Sequence, residues 1–144
     1  MFKPIVAASW IVMLLGTQGL ADSRIFEKTI AKLQTELNNG TLTSEALTQY
    51  YLQRIKVYNG SINAMITVNP HALQEERASD AARTRGATSG PLTGIPVVLK
   101  DNYNTRDMKT TSETLAFKDV KPAEDAFTVA KIRKAGAVII GKAI

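Results

Sequence analysis

Along the chain, apolar residues recur first at helical and then at strand spacing. From Ile25 to Leu37 the apolar set Ile25, Phe26, Ile30, Leu33 and Leu37 shares one helical face, and Asn38-Asn39-Gly40 closes it. A second helix is expected behind Thr43 as N-cap, with Glu45 in its first turn and Leu47, Tyr51, Ile55 and Tyr58 on one face up to Gly60. The two helices form a hairpin joined by a short polar turn. Ala64 to Val68 is short, apolar and partly β-branched, which predicts a strand. Asn69-Pro70 then opens a third helix that runs to about Arg85 and stops at Gly86. The segment Ala87 to Gly94, with Ser89, Gly90, Pro91 and Gly94, reads as a loop.

Ile95-Pro96-Val97-Val98-Leu99 is apolar without alternation, the pattern of a strand buried on both faces. A polar stretch through Lys121 follows. A helix is then expected from about Glu124 to Ala135, stopped by Gly136, and the apolar run Ala137 to Ile140 predicts another strand. Strand, helix, strand is a βαβ crossover, so the expected fold class is α/β, with a parallel or mixed sheet flanked by helices. No internal repeat or low-complexity segment interrupts it.

Composition narrows the chemistry. A chain of 144 residues is the size of one domain, and its 44% hydrophobic and 22% charged shares suit a packed globule. It has no cysteine, which removes disulfides, thiolate metal sites and a Cys nucleophile. The single histidine, His71, removes a His-rich metal site and reads as a surface residue. Ser, Thr, Lys, Tyr, Asp and Glu are left to carry any reaction. The net charge is +5, but lysine and arginine are scattered and form no basic block, so no nucleic-acid partner is implied. Arg77, Arg83 and Arg85 share their segment with Glu75, Glu76 and Asp80, and read as a solvated helix face.

Residues 1–21 follow the plan of a secretory signal peptide: Lys3, an apolar run from Ile5 to Leu15, then the small-residue site Gly19-Leu20-Ala21. The run is shorter than the roughly 20 residues that span a bilayer, so stable membrane insertion is not expected. Export to the periplasm or the medium is, with the mature chain starting near Asp22. Asn39-Gly40-Thr41 and Asn59-Gly60-Ser61 fit the N-glycosylation pattern, and Asn-Gly is also a turn signal. The turn reading is preferred at both, and glycosylation stays open.

Lys100 stands out physically. It is an ammonium placed after an apolar run at the C-terminal end of a strand, followed by Asp101 and Asn102. Sites in parallel sheets collect at that end. A lysine desolvated there loses its proton more readily and becomes a competent general base. The plain alternative is a strand-end charge facing water and paired with Asp101, worth roughly 0–1 kcal/mol.

The segment Gly94 to Asn102, Gly-Ile-Pro-Val-Val-Leu-Lys-Asp-Asn, resembles the lysine-bearing strand of the amidase signature family. Upstream, GTLTSEALTQYYLQRIKVYNGSINAMITVNPHAL is similar to that family's N-terminal helical arm, including Arg54-Ile55 and Asn63-Ala64 before a strand. Downstream, Asp107, Met108, Thr110 and Thr111, then DAFTVAKIRKAGAVIIGK, resemble its next helix and strand. The resemblance covers about Gly40 to Lys142. It implies a large mixed sheet among helices and a Ser–cis-Ser–Lys apparatus that hydrolyses amide C–N bonds of a small-molecule substrate. In it Lys100 is the catalytic lysine, exchanging a proton with a bridging serine that activates the nucleophilic one. No metal or organic cofactor is implied.

The family's two serines belong to a Gly/Ser-rich segment that is not among these 144 residues. Residues 22–144 are therefore expected to be the N-terminal portion of an amidase domain, inactive alone. Thr110, Thr111 and Ser112 are better read as turn formers than as substitute nucleophiles. Two smaller departures are Ser112-Glu113-Thr114, where the family commonly has a small residue, glycine and serine, and Ala143-Ile144, where it favours Thr-Asn. Strands without neighbours would leave open edges and poor solubility. The competing reading is a noncatalytic relic or partner-binding fragment that needs a second polypeptide to complete its sheet.

Overall fold

A computed structural model describes residues 25–87 and 90–144; the signal-peptide reading of residues 1–21 lies outside them. Helix α1 spans Ile30–Asn38, five residues later at its start than the apolar pattern predicts, because Glu27 turns left-handed (φ +54°) and Thr29 caps the helix. Ile25 is still buried in the same cluster as Leu33, Leu37, Leu47 and Ile95. Asn39-Gly40 closes α1 as expected, with Gly40 at φ +76°.

Helix α2 spans Ser44–Ile62, and the Thr43 hydroxyl accepts from the Ala46 N–H at 3.1 Å. A second cap arrives from the third helix: Asp80 accepts from the N–H groups of Ser44 (2.8 Å) and Glu45 (3.0 Å). This uses two more of the donors that a helix N-terminus leaves free. Asn59-Gly60 is not a turn but lies inside α2, which ends at left-handed Asn63. The reason is tertiary. The Asn59 side chain, which would form a local turn, instead takes both backbone groups of Met65, accepting from its N–H at 2.7 Å and donating to its carbonyl at 3.2 Å.

Strand β1 (Met65–Val68) leads through buried Asn69 into α3 (Ala72–Thr84). The Asn69 side chain donates to the Ile139 carbonyl at 2.8 Å and accepts from the His71 N–H at 2.9 Å, so Pro70 and His71 form a turn ahead of the helix. His71 is exposed. The reading of α3 as a solvated face holds for Arg77 but fails for its inner side. Glu76 is 0% exposed and its carboxylate accepts from the Thr48 hydroxyl at 2.9 Å, while Arg83 donates to the Ser44 hydroxyl and the Thr93 carbonyl. These groups form the α2–α3 interface, which helical charge spacing alone does not distinguish from a wet face.

Strand β2 (Pro96–Lys100), helix α4 (Phe127–Lys134) and strand β3 (Val138–Ala143) form the crossover; a short 3-10 turn lies at Leu115–Phe117. The sheet order is β1-β3-β2, with β2 and β3 parallel and β1 antiparallel to β3. The fold is α/β with a small mixed sheet, as the crossover pattern predicts. β3 therefore has a neighbour on each side, and among the described residues the open edges are those of β1 and β2. β3 alternates faces: Val138 and Ile140 pack with Ala72 and with Tyr51, Leu52 and Ile55 of α2, whereas Ile139 packs with Val129 of α4, Leu99 and Met108. The continuous burial expected of β2 is found in β3 instead. In β2, Leu99 is buried but Val98 is 41% exposed, as an edge position permits.

Two glycines are required by this packing. Gly94 enters β2 at φ +74°, where an added Cβ would collide with the Ser44 side chain. Gly141 lies so close to β1 that a Cβ would sit 2.5 Å from the Thr67 carbonyl oxygen.

Candidate active site

The pairing of β2 with β3 shifts register midway: Val97 faces Ile139 but Val98 faces Gly141, so Ile140 is an extra residue on β3. Such a bulge re-aims the side chains that follow it. After it, Leu99 pairs with Lys142 and Lys100 with Ala143, which brings two lysines to the same end of the sheet. The Asp101 N–H donates to the Ala143 carbonyl at 2.8 Å and carries the parallel pairing one residue further.

The two lysines differ in surroundings. Lys100 leaves the strand end with a side chain 50% exposed, and its ammonium meets the Glu113 carboxylate. That is a different environment from the dry one the apolar run suggested. The expected local pairing with Asp101 is also absent. Asp101 is 0% exposed and faces Lys142, itself 0% exposed, at 3.2 Å. Lys142 Nζ also donates to the Thr110 hydroxyl (2.6 Å) and the Lys109 carbonyl (2.8 Å). Burial pulls the Lys142 amine below the ordinary lysine value, and Asp101 opposes that pull. For Asp101, burial pushes the carboxyl up, but the Thr111 hydroxyl, Lys142 and the Thr111 N–H outweigh it and hold the group below the usual carboxylate range.

The loop hydroxyls are committed to structure. Thr111 donates from its hydroxyl (2.5 Å) and its N–H (2.9 Å) to Asp101 Oδ2. Thr110 accepts from Lys142 and lies 3.3 Å from the Tyr103 carbonyl. These contacts agree with the reading of both as loop formers. Ser112 (φ +47°) and Glu113 (φ +61°) are both left-handed, a conformation that costs non-glycine residues about 1–2 kcal/mol each. The turn brings Glu113 onto Lys100. No group of three His, Asp or Glu side chains placed to hold a metal occurs among the described residues.

Sequence reasoning singled out Lys100, read Thr111 as a turn former and gave Lys142 no role. The signal for Lys142 was present: like Lys100, it follows an apolar run at the end of a strand. Lys100 ends the edge strand β2 and is half exposed; Lys142 lies on the enclosed central strand.

Comparison with known proteins gives a consistent picture. The family model described as Amidase matches residues 46–144. A glutamyl-tRNA(Gln) amidotransferase subunit from Moorella thermoacetica is 40% identical over 119 residues, covering 82% of this chain and 24% of that protein. The native peptide amidase of Stenotrophomonas maltophilia superimposes with a TM-score of 0.78 at 42% identity, over 82% of this chain and 25% of that one. An amidase family protein of Bacillus anthracis superimposes with a TM-score of 0.77 at 36% identity, over 84% and 25%. The chain thus spans about a quarter of the length of these relatives.

Proposed function

Since the chain belongs to the amidase signature family, we propose that it supplies the lysine and the N-terminal strands of a hydrolase of amide C–N bonds. The observation that carries this reading is Lys100, which stands at the C-terminal end of a parallel strand in a segment resembling the family's lysine strand. In the reaction Lys100 accepts a proton from a bridging serine, which has taken one from the nucleophilic serine as that oxygen attacks the amide carbonyl. The proton then passes to the leaving amine, and water releases the acyl group. Both serines are to come from residues beyond these 144, in a longer polypeptide or in a second one.

The Glu113 carboxylate occupies the Lys100 amine in this arrangement, so a bridging serine reaches it only when that contact opens. An ion pair this exposed is worth about 0–1 kcal/mol, which makes opening easy. The second reading, a noncatalytic module completed by another polypeptide, is favoured by one feature, the β2 edge, unpaired among the described residues, with exposed Val98.

The test is hydrolysis of simple amides by the chain alone and by a polypeptide that also includes a Gly/Ser-rich segment carrying the two serines, each with and without Lys100→Ala. Turnover is expected only in the longer polypeptide and is lost with Lys100. Turnover that survives Lys100→Ala in a folded protein would remove the lysine from the mechanism, and turnover by the chain alone would remove the need for outside serines.

A further inference from the structure

Lys142 ends in a closed pocket of oxygen atoms from Thr110, Lys109 and Asp101. The ammonium donates to Thr110 and Lys109 and is ion-paired with Asp101 at 3.2 Å, and at 0% exposure it has no route to a substrate. What it grips is the more informative point. Asp101 directly follows Lys100, and its second oxygen holds Thr111 twice. The Thr111 hydroxyl accepts from the Glu113 N–H at 3.2 Å, and the Glu113 carboxylate returns to the Lys100 ammonium. The contacts form a closed ring of Asp101, Thr111, Glu113 and Lys100, with Lys100 bonded through the chain to Asp101, and Lys142 braces it from outside through Asp101, Thr110 and Lys109. Within it, left-handed Ser112 and Glu113 are conformations that persist where surrounding contacts over-determine them.

We propose that Lys142 is a positioning residue for Lys100: its buried contacts hold the 101–113 loop in one arrangement and thereby fix the direction in which the Lys100 side chain leaves the sheet. The importance of that direction rests on the reading of Lys100 as the proton-carrying lysine, but the ring itself can be tested without turnover. Lys142→Met leaves the Asp101 carboxylate buried without its partner and risks unfolding. Asp101→Asn/Lys142→Met removes both charges, and Thr111→Val opens the ring without touching either.

Brief acylation of the whole chain with acetic anhydride, read lysine by lysine by peptide mass spectrometry, reports the freedom of Lys100. Exposed Lys56 and Lys134, which take no part in the ring, are internal standards. Labelling of Lys100 relative to these standards should rise at least threefold in Asp101→Asn/Lys142→Met and in Thr111→Val, as Glu113 leaves the amine. A smaller change in Thr111→Val, or in the folded double variant, overturns the proposal. So does an equal rise at Lys56 and Lys134, which would signal general loosening. If Lys100→Ala leaves hydrolysis by the longer polypeptide intact, the catalytic reading fails while the labelling result still decides the positioning role.

Discussion

Glu76→Gln should stabilise the fold in mild alkali and leave it almost unchanged in mild acid. Glu76 is wholly buried on α3 against α2; one carboxylate oxygen accepts from Thr48 and the other has no partner. Burial pushes its pKa from 4.5 up to about 7, with Asp80 and Glu75 adding to the rise and the Thr48 hydroxyl and Arg83 opposing it. In the unfolded chain the carboxyl regains its ordinary value, so between pH 4.5 and about 7 the folded form binds more protons than the unfolded one. Stability then falls as pH rises. The contribution is complete below 4.5 and is lost as pH passes through about 7. At about 1.4 kcal/mol per pH unit, the loss on passing to alkali is about 3 kcal/mol. Glutamine has the same shape and no charge to desolvate, and escapes this loss.

Urea unfolding followed by far-UV circular dichroism measures the effect. With a slope of about 1–3 kcal/mol per molar urea, the variant's midpoint should exceed the wild type's by about 1–3 M at about pH 8.5, and by little at about pH 4. Other titrating groups are common to both proteins and cancel in the difference. Midpoints that differ by the same amount at both ends of the range would refute the assignment, since only a titrating Glu76 makes the gap depend on pH.

Four further outcomes are expected. Asp101→Asn should cost about 3–5 kcal/mol near neutrality, because it leaves the Lys142 ammonium buried without a counter-charge. Since the folded Asp101 carboxyl is held low, its contribution exists above the unfolded value of 3.8 and is lost as pH falls through the lower folded value, so melting curves of variant and wild type should converge in strong acid. Leu47→Ala, in the cluster under α1 and α2, should cost about 2–5 kcal/mol by urea midpoint; Leu115→Ala, at a side chain 84% exposed, should stay within about 0.5 kcal/mol. Mass spectrometry of protein recovered from the periplasm or medium of an expressing bacterium should find an N-terminus at Asp22; protein found only in the cytoplasm with Met1 intact would refute the export reading.

Regular elements were legible because their signals are local. The Thr43 cap, the Asn39-Gly40 stop, the Gly136 stop and the apolar runs of β2 and β3 each act within a few residues, and the structure carries all of them. What could not be read depends on contacts between distant residues. Asn59-Gly60 has the composition of a turn, but Met65 captures the Asn59 side chain and the helix continues. Glu76 is spaced like its solvated neighbours, yet faces α2. At the candidate site, apolar flanks located the end of the sheet but could not rank its two lysines. That ranking depends on which strand is central, and it follows from the β1-β3-β2 order, which no local pattern encodes.

That order also bears on how the chain is made. The middle strand is the last of the three to be synthesised, so neither β1 nor β2 can find its partner until Val138–Ala143 has emerged from the ribosome. At about 5–20 residues per second, nascent β1 waits for seconds with both edges bare. During that interval α2 and α3, which flank β1 in sequence and pack on each other, are the part able to shelter its apolar side chains.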